Sequence, residues 1–244
     1  MTIQAWTDMS ILVEGLEVAG HGKDVNLLTE VAPLETTGLS ATGWRSFVGG
    51  LKSGSVDMTL MSDMAEGSVD DVFWAQLGAG DTVKSVVTNS ADGSVGYLFR
   101  GLSVGHSVGG SVGELAAAKL TGKSSTGPVV RGRLLHPGSA SRSTSDVGTG
   151  RQLGAVVSGK SLYAALHVLS VSGTSTPTLT VKVQSDDNSG FTSATDRITF
   201  TGATAVGAQW GSVAGAVTDD YWRVTWTISG TTPVFAFAVV AGIL

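Results

Sequence analysis

Residues 51–63 read LKSGSVDMTLMSD, and their polarity changes at every step. Val56, Met58 and Leu60 fall on one face, while Ser55, Asp57 and Thr59 fall on the other. A period of two is that of a half-buried β-strand, with one face against a core and the other toward water. Downstream, Ser68 stands as an N-cap with Asp71 three residues later. Val69, Val72, Phe73 and Leu77 then share one side, and Gly78 suits a C-terminal stop, so the pattern predicts one helix of about three turns. Upstream, residues 11–18 form a strand candidate, followed by a region read as irregular, with Gly20, Gly22 and Pro33, that runs to Gly43.

Further along, residues 83–88, 95–103, 111–120 and 129–135 read as strands separated by Asn/Asp/Gly turns. From Pro137 to Ser145 there is no large apolar side chain, and such a stretch reads as a connection. Beyond it, residues 150–157, 161–170, 178–184, 196–201, 208–213, 221–228 and 234–241 predict about seven short strands. The expected division is a first domain over 1–137, a linker over 138–150 and a C-terminal β-sandwich over 151–244.

Composition agrees with a mainly β chain. The 244 residues include 34 Gly and only 14% charged residues. There is no Cys, which excludes disulfides and thiolate metal sites. The net charge of −5 lies wholly in residues 1–140, which hold 14 Asp and Glu against 9 Lys and Arg; residues 141–244 hold 6 of each. No basic footprint for nucleic acid stands out. Residues 1–10 lack the pattern of a secretory signal, and no window approaches the ~18 apolar residues of a membrane span, so cytoplasmic synthesis and no membrane partner are expected.

The stretch Thr42-Gly43-Trp44-Arg45-Ser46-Phe47-Val48-Gly49-Gly50-Leu51-Lys52-Ser53-Gly54-Ser55-Val56-Asp57-Met58-Thr59-Leu60 resembles the tail tube proteins of siphovirus-type bacteriophages. In that family a GWR…GGLKxGSV stretch joins a long loop to a barrel strand, with an acidic segment and short helix after it. GGSVGEL at 109–115 is also similar to the family, and the last hundred residues are similar to an appended β-domain found on some members. The resemblance implies a tail-tube sandwich or barrel domain with one short helix, followed by a jelly-roll-like sandwich. It implies self-assembly into stacked rings of six subunits, or of three two-domain chains, that form the virion's DNA-conducting tube. Tape measure and terminator proteins are the implied further partners, synthesis is in the host bacterium, and no cofactor is implied. The ring-stacking loop maps to residues 34–47, with Leu34, Glu35, Trp44, Arg45 and Phe47.

A tube that passes DNA needs a lining that does not attract phosphates. Asp57 is the first lumen-facing candidate because it shares a face with Ser55 and Thr59; Glu14, Asp63 and Glu114 follow. Other virion roles, capsid decoration or tail terminator, fit a Cys-free β-rich chain as well. Trp210, Tyr221, Trp222 and Trp226 raise a carbohydrate-binding alternative, although alternation with Val224 favours a core position for Trp222 and Trp226.

Gly105-His106-Ser107-Val108-Gly109 matches the G-x-S-x-G nucleophile elbow, with Asp146 and His167 following in triad order. The residues that follow are Gly110, Ser111, Val112 and Gly113, poor helix starters, so no catalytic residue is assigned. His21, His106, His136 and His167 lack metal-ligand spacing, and Asp186-Asp187-Asn188-Ser189-Gly190 reads as a turn rather than a Ca²⁺ loop.

Overall fold

The computed structural model describes residues 8–37 and 43–244. Its strands are β1 (Ser10–Val13), β2 (Leu16–Glu17), β3 (Gly22–Glu35) and β4 (Phe47–Met61), then helix α1 (Val69–Gln76). β5 (Asp81–Val87), β6 (Val95–Gly109), β7 (Ala117–Ser124) and β8 (Val130–His136) follow, and then the two-residue strands β9 (Asp146–Val147) and β10 (Arg151–Gln152). β11 (Ser161–Asp186), β12 (Thr195–Thr199), β13 (Gly207–Ala214) and β14 (Tyr221–Ile243) close the chain. The protein is mainly β with one short α-helix among the described residues, and the pairs formed by these strands are all antiparallel.

The strand predicted from LKSGSVDMTLMSD is the second half of β4, with Val56, Met58 and Leu60 buried. Several other boundaries differ from the expectation. The region read as irregular is mostly β3, a 14-residue strand paired to β4 from Gly22↔Leu60 to Glu35↔Phe47. Its alternation was hidden because both faces of its outer half are exposed and therefore select no apolar period. The strand expected over 111–120 begins only at Ala117, since residues 110–116 form the turn between β6 and β7. The strand expected over 150–157 shrinks to β10.

Helix α1 stands where its pattern placed it. Val69 and Phe73 are buried, and Gly78 takes φ 74° just past the last turn, a conformation glycine adopts without strain. Ser68 does not cap with its side chain; its hydroxyl donates to Asp63 (3.0 Å), and Asp71 accepts from Gly67 N (2.9 Å) instead. Leu77 is exposed, and Gln76 takes the buried position.

The first half is a sandwich. β3, β4, β7 and the outer part of β6 form one sheet, while β8, the inner part of β6, β5, β1 and β2 form the other. β6 belongs to both sheets and shifts register between Ser103 and Gly105, where a bulge lets a strand bend from one layer to the next. Ile11, Val56, Met58, Leu60, Phe73, Phe99 and Leu120 fill the space between them.

In the second half, the segments expected as four strands are two long ones. β11 and β14 pair from Leu162↔Ile243 to Asp186↔Tyr221, with register shifts between Val168 and Thr178. At that corner Gly173, Ser175, Thr176, Gly230 and Thr232 all have positive φ, and a Cβ on Gly173 would lie 2.8 Å from the Thr232 carbonyl oxygen. The ribbon bends there and packs on itself, burying Leu166, Val181, Trp222, Trp226 and Phe237.

The stretches LYAALHVL and VFAFAVVA look like continuous apolar runs because their strands are covered on both faces. Leu166 and Val239 face the second core. Ala165, Ala238 and Val240 instead meet Leu12, Val87, Leu98 and Leu134 of the first half. β8 also hydrogen-bonds to both β6 and β14, so one sheet runs through the whole chain. Residues read as linker take part as well: Arg142 exchanges backbone hydrogen bonds with Phe235, and Trp226 Nε1 donates to the Thr144 carbonyl at 3.0 Å.

Two histidines lie within this packing. His167 is buried at the contact between halves, with its Nε2 3.0 Å from Ser85 Oγ on β5. His136 stacks on Phe237 and donates from Nδ1 to the Phe237 carbonyl at 2.9 Å. Burial disfavours both imidazolium ions, pushing His136 down to about 4 and His167 to about 3 from 6.5. The unfolded chain therefore binds protons that the native state refuses as pH falls from about 6.5 toward 3. Unfolding midpoints in urea should drop steadily through that window, and His167→Gln should make the drop shallower.

Candidate assembly surface

The largest unpartnered feature is the outer half of the β3–β4 hairpin. β7 pairs with β4 only from Ser55↔Lys123 to Met61↔Ala117, and Gly54 N still donates to Ser124 Oγ, so Phe47–Ser53 of β4 extends beyond the sheet with β3 as its one strand neighbour among the described residues. That overhang is about 25 Å at ~3.3 Å per residue. Leu34, Phe47 and Val48 are exposed on it, Leu51 is 87% exposed, and Trp44 near the tip is 90% exposed. Isolated two-stranded ribbons are marginal in water, and clustered exposed apolar side chains mark contact surfaces. Glu35 and Arg45 face each other across the ribbon at 3.8 Å, both largely solvated, which makes the pair weak. Thr42 and the middle of the expected loop, residues 38–42, lie outside the described residues.

The four-stranded sheet β3-β4-β7-β6 has two edges without a strand among the described residues. One is β3 along its length; the other is β6 beyond Ser103, where β5 has ended. Its inner face is buried, while its outer face is bare and polar. Asn26, Asp57 and Thr121 align across it, with Asp24, Thr59 and Lys119 on one side and Leu28, Ser55 and Lys123 on the other.

The lumen candidates separate on this frame. Asp57 is exposed at the middle of the bare face and accepts a 2.7 Å hydrogen bond from Thr121 Oγ1. Asp24 and Glu30 lie on the same face, as do Lys119 and Lys123, so the surface is mixed in charge and not purely acidic. Asp63 lies elsewhere, where it organises the start of α1: its carboxylate accepts from Ala65 N (3.1 Å) and Ser68 Oγ (3.0 Å), and these bonds hold its pKa below the usual value. Glu114 is exposed in the β6–β7 turn at the end of the sheet.

Glu14 turns inward at φ 47° and accepts from Val83 N, and burial raises its pKa. Its neighbour Lys84 is buried, donating to Thr82 Oγ1 and the Gly101 carbonyl. Desolvation lowers the Lys84 pKa from 10.5 to about 8, against the pull of Glu14 and Asp81. Below about pH 8 the ammonium is present in native and unfolded states alike, and its burial cost is fully felt. Between about 8 and 10.5 the native state sheds the proton while the unfolded chain keeps it, so this group makes stability rise with pH. Denaturant titrations across that window should register the rise, and Lys84→Met should abolish it.

The remaining motifs have structural positions. Gly105 to Gly109 is extended strand within β6, with Ser107 opposite Lys119, so the strand-to-helix turn that a nucleophile elbow needs is replaced by sheet. His167 is occupied with Ser85 instead. Asp186 accepts from Asn188 N and Ser193 N, which is the expected turn. Trp222 and Trp226 are buried in the second core with their indole N–H groups donating to Gly154 and Thr144 carbonyls, which removes them as a sugar platform.

Sequence reading missed the β3 edge and the end of β6. The signal for the first lay in the polarity of residues 22–35, which alternates weakly over Val25, Leu27 and Thr29.

No protein-family model and no curated protein matches the sequence. Among solved structures, a chain of the virion of a native gene transfer agent particle is similar at 17% identity and TM-score 0.44, over 52% of this chain and 97% of that one. A chain of the tail of an empty gene transfer agent particle with C6 symmetry gives 18% identity and TM-score 0.43 over the same shares. The Dit protein of phage SPP1, described as a hub adsorption apparatus, gives 10% identity and TM-score 0.37 over 97% of this chain and 99% of that one. At these TM-scores the likenesses assign neither fold nor role.

Proposed function

We propose that the chain is a structural virion protein, the repeating subunit of a bacteriophage tail tube of the siphovirus type. The observation that carries this reading is one four-stranded sheet with a bare polar face and two edges left open at its opposite sides. Open edges invite pairing, and joining β3 of one copy to the end of β6 in the next is a heterologous contact that closes into a ring when the rotation per copy allows. The bare face with Asp24, Ser55, Asp57, Thr59 and Thr121 then lines the pore, since the other face is filled by the core and α1. Carboxylates and hydroxyls repeated around that wall, with Lys119 and Lys123 among them, leave DNA free to slide without specific binding.

The C-terminal half carries no second overhanging ribbon beside a bare four-stranded face among the described residues, which favours six chains per ring over three. It extends the first domain through an Ala-lined contact, and the division at 138–150 is read as two units with a fixed junction. Tape measure and terminator proteins are the proposed neighbours within the virion, and the copies are made in the host bacterium.

Electron microscopy of the purified full chain is the test. Rings and hollow tubes are expected at high concentration, with tube growth lost and rings kept when residues 34–47 are deleted. A chain that stays monomeric overturns the proposal. Rings that never stack replace the tube with a single-ring component such as a terminator.

A further inference from the structure

The ribbon tip and the β6–β7 turn lie at opposite ends of the same strands. β4 begins at Phe47 beside the tip and ends at Met61 opposite Ala117, where Ser62 N donates to the Ala116 carbonyl at 2.9 Å. Fifteen residues of strand put the two ends about 46 Å apart. The far end has an uncovered apolar group of its own. Val112 is fully exposed in the turn, Leu115 is 71% exposed, and Met64, just after β4, is 67% exposed. Neither end can be covered by the other within one molecule.

The far end is acidic, whereas the ribbon carries charges of both signs, with its basic ones on the β4 side. Residues 62–78 and 109–116 contain Asp63, Glu66, Asp70, Asp71 and Glu114 and no Lys or Arg. His21 and His106 stand beside Asp63 and Asp70, at 3.5 and 3.2 Å, while Glu66 and Glu114 are exposed. On the ribbon, the β4 side from Gly43 to Ser53 carries Arg45 and Lys52 and no carboxylate, next to the two most exposed apolar residues, Trp44 and Leu51; Glu30 and Glu35 are on its β3 side.

We infer that the end formed by Met64, Val112 and Leu115, rimmed by Glu66 and Glu114, is the socket on which the ribbon tip of a second copy seats. The inference rests on the tube reading and adds to it the receiving surface for axial growth. A patch at one end that fits a different patch at the other is heterologous and does not close on itself when copies are related by translation, so it propagates as a filament. Apolar burial supplies the attraction, and the Arg45 and Lys52 charges of the β4 side against the acidic rim favour tip on socket, because socket on socket brings like charges together.

The absence of cysteine makes the test clean. The full chain carrying Trp44→Cys and Leu115→Cys together, oxidised after assembly, should yield a ladder of covalent oligomers, while each single variant yields no ladder. Val112→Asp with Leu115→Asp, both in solvent, should keep the thermal midpoint and ring formation of the wild type but raise the critical concentration for tubes at least about tenfold. Glu66→Lys with Glu114→Lys should do the same, and adding Arg45→Glu with Lys52→Glu should restore growth. Tubes of the Trp44→Cys/Leu115→Cys variant that give no ladder on oxidation, or unimpaired tubes in the Val112/Leu115 variant, overturn the socket and leave the tube reading standing. Failure of the wild type to form rings overturns both.

Discussion

Every backbone N–H and C=O group of a strand must find a partner or remain in water, and the architecture follows from where that requirement is met and where it is left open. Within the chain it is met by long ladders. β11 and β14 run beside each other over more than twenty residues, and their bend turns one ribbon into two packed sheets without interrupting the pairing. β8 carries the hydrogen bonding on into the first half. At β3 and at the end of β6 no strand among the described residues meets the requirement, and those are the edges open to a second copy.

Packing explains why the unmet edges stay in place. The sheet that carries them is held from behind by α1 through Val69 and Phe73 and by Ile11 and Phe99 from the facing layer. That layer is backed in turn by Ala165, Ala238 and Val240. Small side chains bring the sheets of the two halves close, so the second half stiffens the first. A ribbon extending about 25 Å from such a base can hold its direction, with solvation of its apolar residues as the cost while it stands alone.

Buried ionisable groups lie inside this frame. Lys84, His136 and His167 are all pushed toward neutrality by burial and occupy the interior, away from the bare face. The pH dependence they give belongs to folding, whereas the charges available for assembly are the solvated ones: Asp57 and its neighbours on the face, Arg45 and Lys52 on the ribbon, Glu66 and Glu114 at the far end.

Sequence by itself determined the mainly β class, the inward set Val56, Met58 and Leu60 of β4, the helix at Val69–Gln76 and the core position of Trp222 and Trp226. Each of these rests on local periodicity, and local periodicity survives into the fold whenever one face is buried and the other is not. Tertiary structure alone decided that β3 is a strand, that four predicted segments are two, and that Glu14 and Asp63 are bound to the chain's own backbone. A ribbon exposed on both faces has no apolar period, a strand covered on both faces has no polar one, and a carboxylate's partners come from residues as distant as Val83 is from Glu14. Position in the chain does not encode any of these three without the folded neighbours.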